Sequence, residues 1–123
     1  MILLELLKIL TDDTTLSTLL GSTVTNKKIS PDYTISDGIY YTFNDVTYDK
    51  IKAQALFNLT IVNKELMQAY KIKDRLDELL LTFADNELTD NILVVTQNGG
   101  GLIYDSECKE HRLKVNYSII YKK

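Results

Sequence analysis

An α+β domain, built from an antiparallel or mixed sheet with one long helix across one face, follows from three stretches of this 123-residue chain. The first is AQALFNLTIV, from Ala53 to Val62. There Ala53, Ala55, Phe57, Leu59 and Ile61 alternate with Gln54, Leu56, Asn58, Thr60 and Val62, as in a half-buried strand. The second follows directly and runs to Ala84. Leu66, Ala69, Ile72, Leu76, Leu79, Leu80 and Phe83 recur at spacings of three and four and form one stripe of a helix. Lys64, Gln68, Lys71, Arg75 and Glu78 fall on the solvated side. The third is the closing alternation, with Leu113, Val115, Tyr117, Ile119 and Tyr121 inward against Arg112, Lys114, Asn116 and Ser118 outward. Clean alternation favours antiparallel pairing with one face wet.

The remaining elements complete the order α-β-β-β-α-β-β. Ile2 to Leu10 reads as a docked helix with Leu3, Leu6, Leu7 and Leu10 on one side. Glu5 and Lys8 interrupt its apolar run, which lacks the basic start and small-residue cleavage site of a signal peptide and is too short to span a bilayer. The next segment, TDDTTLSTLLG, offers Asp12 or Asp13 as a cap and Gly21 as a left-handed stop, leaving open one kinked helix or two. Val24 to Ile29 is a short strand ended by Ser30-Pro31, since proline lacks the amide that a ladder needs.

Asp32 to Gly38 reads as a polar loop, and Ile39 to Phe43 as an aromatic, β-branched strand that pairs with the Ala53 strand. Asn44 to Lys52 is expected to be a polar connection between the two. Asn63 is placed to cap the long helix from Lys64. Asp85 to Asn91 reads as a charged loop, Ile92 to Thr96 as a strand, and Gln97 to Gly101 as a glycine turn at a hairpin tip. Repeats, low-complexity stretches and linkers are missing, which predicts one domain over residues 1–123.

Composition narrows the function classes. A hydrophobic fraction of 45% and a charged fraction of 25% are those of an ordinary globular chain with a single core. A net charge of -3 without a basic block argues against a protein that neutralises many phosphates and predicts no specific nucleic-acid recognition. The lone Cys108 has no internal disulfide partner. His111, also alone, reads as an exposed strand-edge histidine, because one imidazole without convergent partners makes neither a triad nor a zinc site. The acids Asp74, Asp77 and Glu78 alternate with Lys71, Lys73 and Arg75 as on a solvated helix face. Asn98 to Gly101 is followed by Leu102-Ile103-Tyr104 and not by a helix bearing Lys-Ser or Lys-Thr, so it is no phosphate loop. The expectation is therefore no catalytic residue, no metal and no cofactor.

Interaction is the function left by this elimination. The connection Asn44 to Lys52, with Tyr48 and Ile51 as its apolar members, and the turn containing Asn98, Gly99 and Gly100 are candidates for touching neighbouring proteins. The other reading of both is plain solvent-exposed connection. On the long helix, Met67, Tyr70 and Leu81 lie on a flank away from the core stripe. Two readings are open: a boundary covered by the N-terminal helix, or, for Met67 and Tyr70, contact with a neighbouring subunit.

The order of segments resembles the tail-completion, or tail-terminator, proteins of long-tailed bacteriophages. The resemblance is carried by the leucine-rich opening helix ending Leu19-Leu20-Gly21, the strand VTNKKI close to a proline, and the aromatic strand IYYTF. It continues through QALFNLTIVNKELMQAYKIKDRLDELL and the late strand RLKVNYSIIYK, so that it spans nearly the whole chain. It implies a structural, non-enzymatic virion protein at the head-proximal end of the tail, assembled in the host cytoplasm and without a membrane partner. Its implied partners are the tail tube protein, the head-tail connector protein and further copies of itself in a ring, commonly a hexamer, with a monomer as the isolated form. Rival readings are another head-tail connector or stopper, and a small ligand-binding or enzymatic α+β domain with a pocket under the helix.

Overall fold

The computed structural model describes residues 2–21, 28–31, 37–48, 52–81 and 91–122. Its eight elements are α1 (Ile2–Asp12), α2 (Thr14–Leu20), β1 (Ile29–Ser30), β2 (Gly38–Tyr48), β3 (Lys52–Asn63), α3 (Leu66–Leu80), β4 (Ile92–Asp105) and β5 (Glu110–Lys122). They form the expected α+β architecture, in which three helices accompany a five-stranded sheet of order β1-β2-β3-β5-β4. The sheet is mixed, since β1 runs parallel to β2 while every other neighbouring pair is antiparallel.

Alternation decides which face of the sheet is buried. Ile39, Ile61 and Leu113 stand in one row across three strands, and Phe43, Phe57 and Tyr117 in another. Phe57, Leu59, Ile61, Val115, Tyr117 and Ile119 are fully buried. Tyr41 and Phe43 flank Phe57 with ring centroids 6.1 Å and 6.3 Å away, within the range of tilted aromatic contacts. The opposite face is largely polar, with Gln54 Nε2 donating to Ser118 Oγ at 2.8 Å. It is not wet throughout, because Thr60 and Val62 are buried at one end of it.

The stripe of α3 behaves as its spacing predicts. Ala69, Ile72, Leu76 and Leu80 are fully buried in the same core as the sheet residues, and Leu66 and Leu79 are half-buried. Its start differs from the sequence reading. Asn63 remains in β3, paired with His111, so the helix opens only at Leu66 after a two-residue bend. The Asn63 side chain still serves the bend, accepting from the Glu65 amide at 2.8 Å. The predicted helix continuation through Phe83 falls outside the described residues, and Leu81 is already extended.

The opening segment is two helices. Asp13 lies between them in extended backbone and accepts from the Leu16 amide at 2.7 Å, which caps α2. Gly21 ends α2 at φ 67° with its amide returned to the Ser17 and Thr18 carbonyls, as a left-handed stop requires. Leu6, Leu10, Leu16 and Leu20 enter the shared core from these two helices. Gln68 of α3 donates to the Leu19 carbonyl at 2.8 Å, tying the end of α2 to the long helix.

Two loop expectations change. The strand expected from Val24 is described only at Ile29–Ser30, and Val24 to Lys27 lie outside the described residues. Asn44 to Tyr48, expected in a connection, continue β2 and pair with β3 through an irregularity between Asp45 and Thr47. The glycine run is also strand. β4 passes straight through Gln97 to Gly101, with a bulge between Gln97 and Gly100, and the hairpin reverses at 106–109 instead. A Cβ at Gly100 would overlap the Lys114 carbonyl, so glycine is needed there for close approach of the neighbouring strand.

Candidate functional site

The sequence-predicted contact residues do not gather in one place. Gly38, Val62 and Arg112 share a row at one end of the sheet, and Tyr48, Ala53 and Tyr121 share a row at the other. Tyr48 sits at this second end, in the last position of β2, and Ile51 lies outside the described residues. Asn98, Gly99 and Gly100 are exposed in the β4 bulge midway along an outer strand, not at a hairpin tip. Met67 and Tyr70 belong to the first turns of α3, which starts from the Asn63 end. They are 72% and 41% exposed, so α1 does not cover them as a boundary, whereas Leu81 is half-buried against the core.

The structure adds a patch that periodicity alone does not reveal. Every residue from Thr96 to Tyr104 is exposed, including Leu102, Ile103 and Tyr104, of which 43%, 53% and 53% of the surface is open. Adjacent residues of a strand point to opposite faces, so this run presents apolar side chains on both sides of the outer edge. Tyr104 pairs with His111, and His111 with Asn63, which puts the patch at the same end of the sheet as the start of α3. The signal in the sequence is an uncharged apolar run after three glycines, but it becomes visible as an edge only once β4 is known to lie outermost.

His111 is not at an edge. It sits in β5 between β3 and β4, half-buried, with its ring 4.9 Å from that of Tyr104. Its Nδ1 is buried without a hydrogen-bond partner among the described residues. Cys108 is an exposed thiol in the β4–β5 turn. The neighbouring Asp105 carboxylate, with smaller contributions from burial and Glu110, pushes its pKa up, opposite to the direction that makes a reactive thiolate. Among the described residues no group of three or more His, Cys, Asp or Glu is disposed to hold a metal ion.

Polar side chains in the interior hold elements together. Tyr117 is fully buried and its hydroxyl donates to Asp77 Oδ1 at 2.6 Å, while Lys73 Nζ reaches Asp77 Oδ2 at 3.0 Å. Burial, reinforced by the Asp77 carboxylate, raises the Tyr117 phenol and keeps it protonated. Asp13 accepts from Arg75 Nη2 at 2.6 Å and Nε at 3.0 Å, a two-point ion pair that links the α1–α2 junction to α3. The Arg75 hydrogen bonds hold the Asp13 carboxyl below its ordinary 3.8.

Beneath α3, side chains of the described residues fill the core. A groove of about 520 Å³ opens instead beside α1, with Ile2, Leu3 and Phe43 as its apolar wall. Its carboxylates are engaged, Glu5 accepting from Asn91 at 3.2 Å and Asp45 from Tyr121 at 2.8 Å. Neither the histidine nor the cysteine lines it. A nucleophile beside a base, the minimum for acyl or phosphoryl chemistry, is not assembled among the described residues.

The class defined by this geometry is an α+β domain with exposed edges and flanks and no convergent catalytic cluster among its described residues. No family model and no curated protein matches the chain. In fold it is similar to a chain from a structure described as the virion of a native gene transfer agent particle, with a TM-score of 0.66 at 14% identity. The match covers 96% of this chain and 92% of the other. At that identity the likeness concerns the fold.

Proposed function

We propose that this protein is a structural component of a phage-like virion and acts as a tail terminator. Copies form a ring, commonly a hexamer, on the last ring of tail tube subunits, stop tube growth and present a docking face to the head connector. The observation that carries the reading is the fold likeness to a chain of a virion particle, which extends over nearly the full length of both chains. The resemblance of the helical opening and the strand-to-helix passage to tail-completion proteins supplies the more specific role. Exposed apolar residues on an outer strand and a helix flank suit a protein that works through contacts, since such residues on monomers commonly mark interaction sites. No catalysed reaction belongs to this role.

Mixing the purified protein with growing tail tubes tests it. The expected result is arrest of elongation, with added density at one end of each tube by negative-stain imaging. Tubes that keep growing would remove the terminator role, and binding to isolated connectors would then favour a connector or stopper.

A further inference from the structure

We infer that copies of this chain join edge to edge, the outer edge of β4 in one copy pairing antiparallel with the outer edge of β2 in the next. The inference deepens the ring reading above and rests on it for closure. Three observations carry it. Among the described residues the sheet order leaves β4 outermost at one side, while at the other side β1 covers β2 only at Ile39 and Tyr40. Beyond those two positions, Thr42, Asn44 and Asp45 of β2 are exposed, as are Gly100 to Tyr104 of β4.

The second observation is strand direction. β2 is antiparallel to β3, β3 to β5 and β5 to β4, so β2 and β4 run in opposite senses. A second copy in the same orientation, shifted along the strands by about four residues so that Gly100–Tyr104 clears the β1-covered Ile39 and Tyr40, therefore meets β4 with an antiparallel β2. This is a head-to-tail contact between two different surfaces, the kind that rotation closes into a ring.

The third observation is chemistry. Exposed sheet edges are normally guarded by lysine, proline or other charges against pairing with a further strand. Residues 41–44 of β2 and 100–104 of β4 contain no Lys, Arg, Asp, Glu or Pro, and Asp45 is the one charge in the stretch of β2 beyond β1. Side-chain faces also match. Leu102 and Tyr104 share the helix-covered face with the half-buried Tyr41 and Phe43, so pairing extends the apolar layer from one copy into the next. The β4 bulge at Gln97–Gly100 confines straight pairing to its distal part.

Five paired residues span about 17 Å, and with a sheet about 10 Å thick the contact buries on the order of 200 Å² per copy. A stable interface needs roughly 800 Å² per partner. Edge pairing alone thus leaves the isolated protein monomeric when dilute, and a ring requires a template that aligns the copies.

Cysteine cross-linking tests the pairing without tail tubes. In a Cys108→Ser background, Thr42→Cys and Ile103→Cys place thiols on the same sheet face at the two edges, and Asn44→Cys replaces Thr42→Cys should that variant melt early. Treating concentrated protein with a short bismaleimide should give a ladder of covalent oligomers from the double variant. Each single variant should give none, and adding Leu102→Lys to the double variant, which keeps both thiols and charges the exposed edge, should abolish the ladder. No ladder from either double variant overturns the inference, and so does Ile103→Cys alone linking as well as the pair, which would mean β4-to-β4 contact. Capped tubes without a ladder discard edge pairing and leave the terminator reading. A ladder with uncapped tubes does the reverse.

Discussion

Asp13 and Tyr117 show how single side chains bind distant segments of this molecule. Tyr117 places a phenol under α3, where its hydroxyl meets Asp77 at 2.6 Å. A hydrogen bond to a charged acceptor is worth about 1.5–3 kcal/mol. Asp77 is 22% exposed and can recruit water once the hydroxyl is gone. Tyr117→Phe, which keeps the ring and removes only the oxygen, should therefore cost about 1.5 kcal/mol, the lower end of that range. Urea unfolding should show a lower midpoint with an unchanged slope; an unmoved midpoint would mean that the bond contributes nothing net. The sequence offers Asp12 or Asp13 as a cap, but the second role of Asp13, gripping Arg75 across 62 positions, is not legible there because nothing local connects the two.

Among elements, the junction of α1, α2 and α3 depends on ionisation of Asp13. Its folded pKa lies below the ordinary value of 3.8, with the Arg75 hydrogen bonds as the main cause. A depressed carboxyl contributes stability that is whole above the unfolded pKa and is lost as pH falls through the folded one. Asp13→Asn keeps an N-cap oxygen but removes the negative charge that faces Arg75. Wild type should be the more stable at pH 6, and the difference should shrink as pH falls below 3.8. A difference that stays constant down to pH 2.5 would assign the effect to capping alone. The strands carry a related lesson. Asn44 to Tyr48 and Gln97 to Gly101 look like loops in isolation because polar residues and glycines are poor strand formers. They are strand here because β3 and β5 offer a continuous ladder to pair with, and a bulge absorbs the irregular step in each.

For the whole molecule, the exposed flank of α3 is the second candidate contact after the β4 edge. Tyr70 is 41% exposed, so Tyr70→Glu should leave stability within about 0.5 kcal/mol, as expected of a surface change. If α3 faces a neighbouring subunit in the ring, the same variant should fail to cap tail tubes. A variant that unfolds would place Tyr70 in the monomer core, and one that folds and still caps would move the interface elsewhere.

Periodicity is a property of neighbouring residues, and it sufficed for the burial stripe of α3 and for the alternation of β3 and β5. Leu76, Phe57 and Tyr117 are as buried as their spacing requires. The stop at Gly21 was equally readable, since a helix C-terminus asks for a left-handed residue at one position. The order of strands was another matter. The insertion of β5 between β3 and β4 turns β4 into an edge and makes Leu102 to Tyr104 a surface. It also moves His111 from an expected edge to an inner strand. These placements follow from which strands bury the most apolar face against α3 and find ladder partners, a choice made among segments tens of residues apart and visible only once the chain is packed.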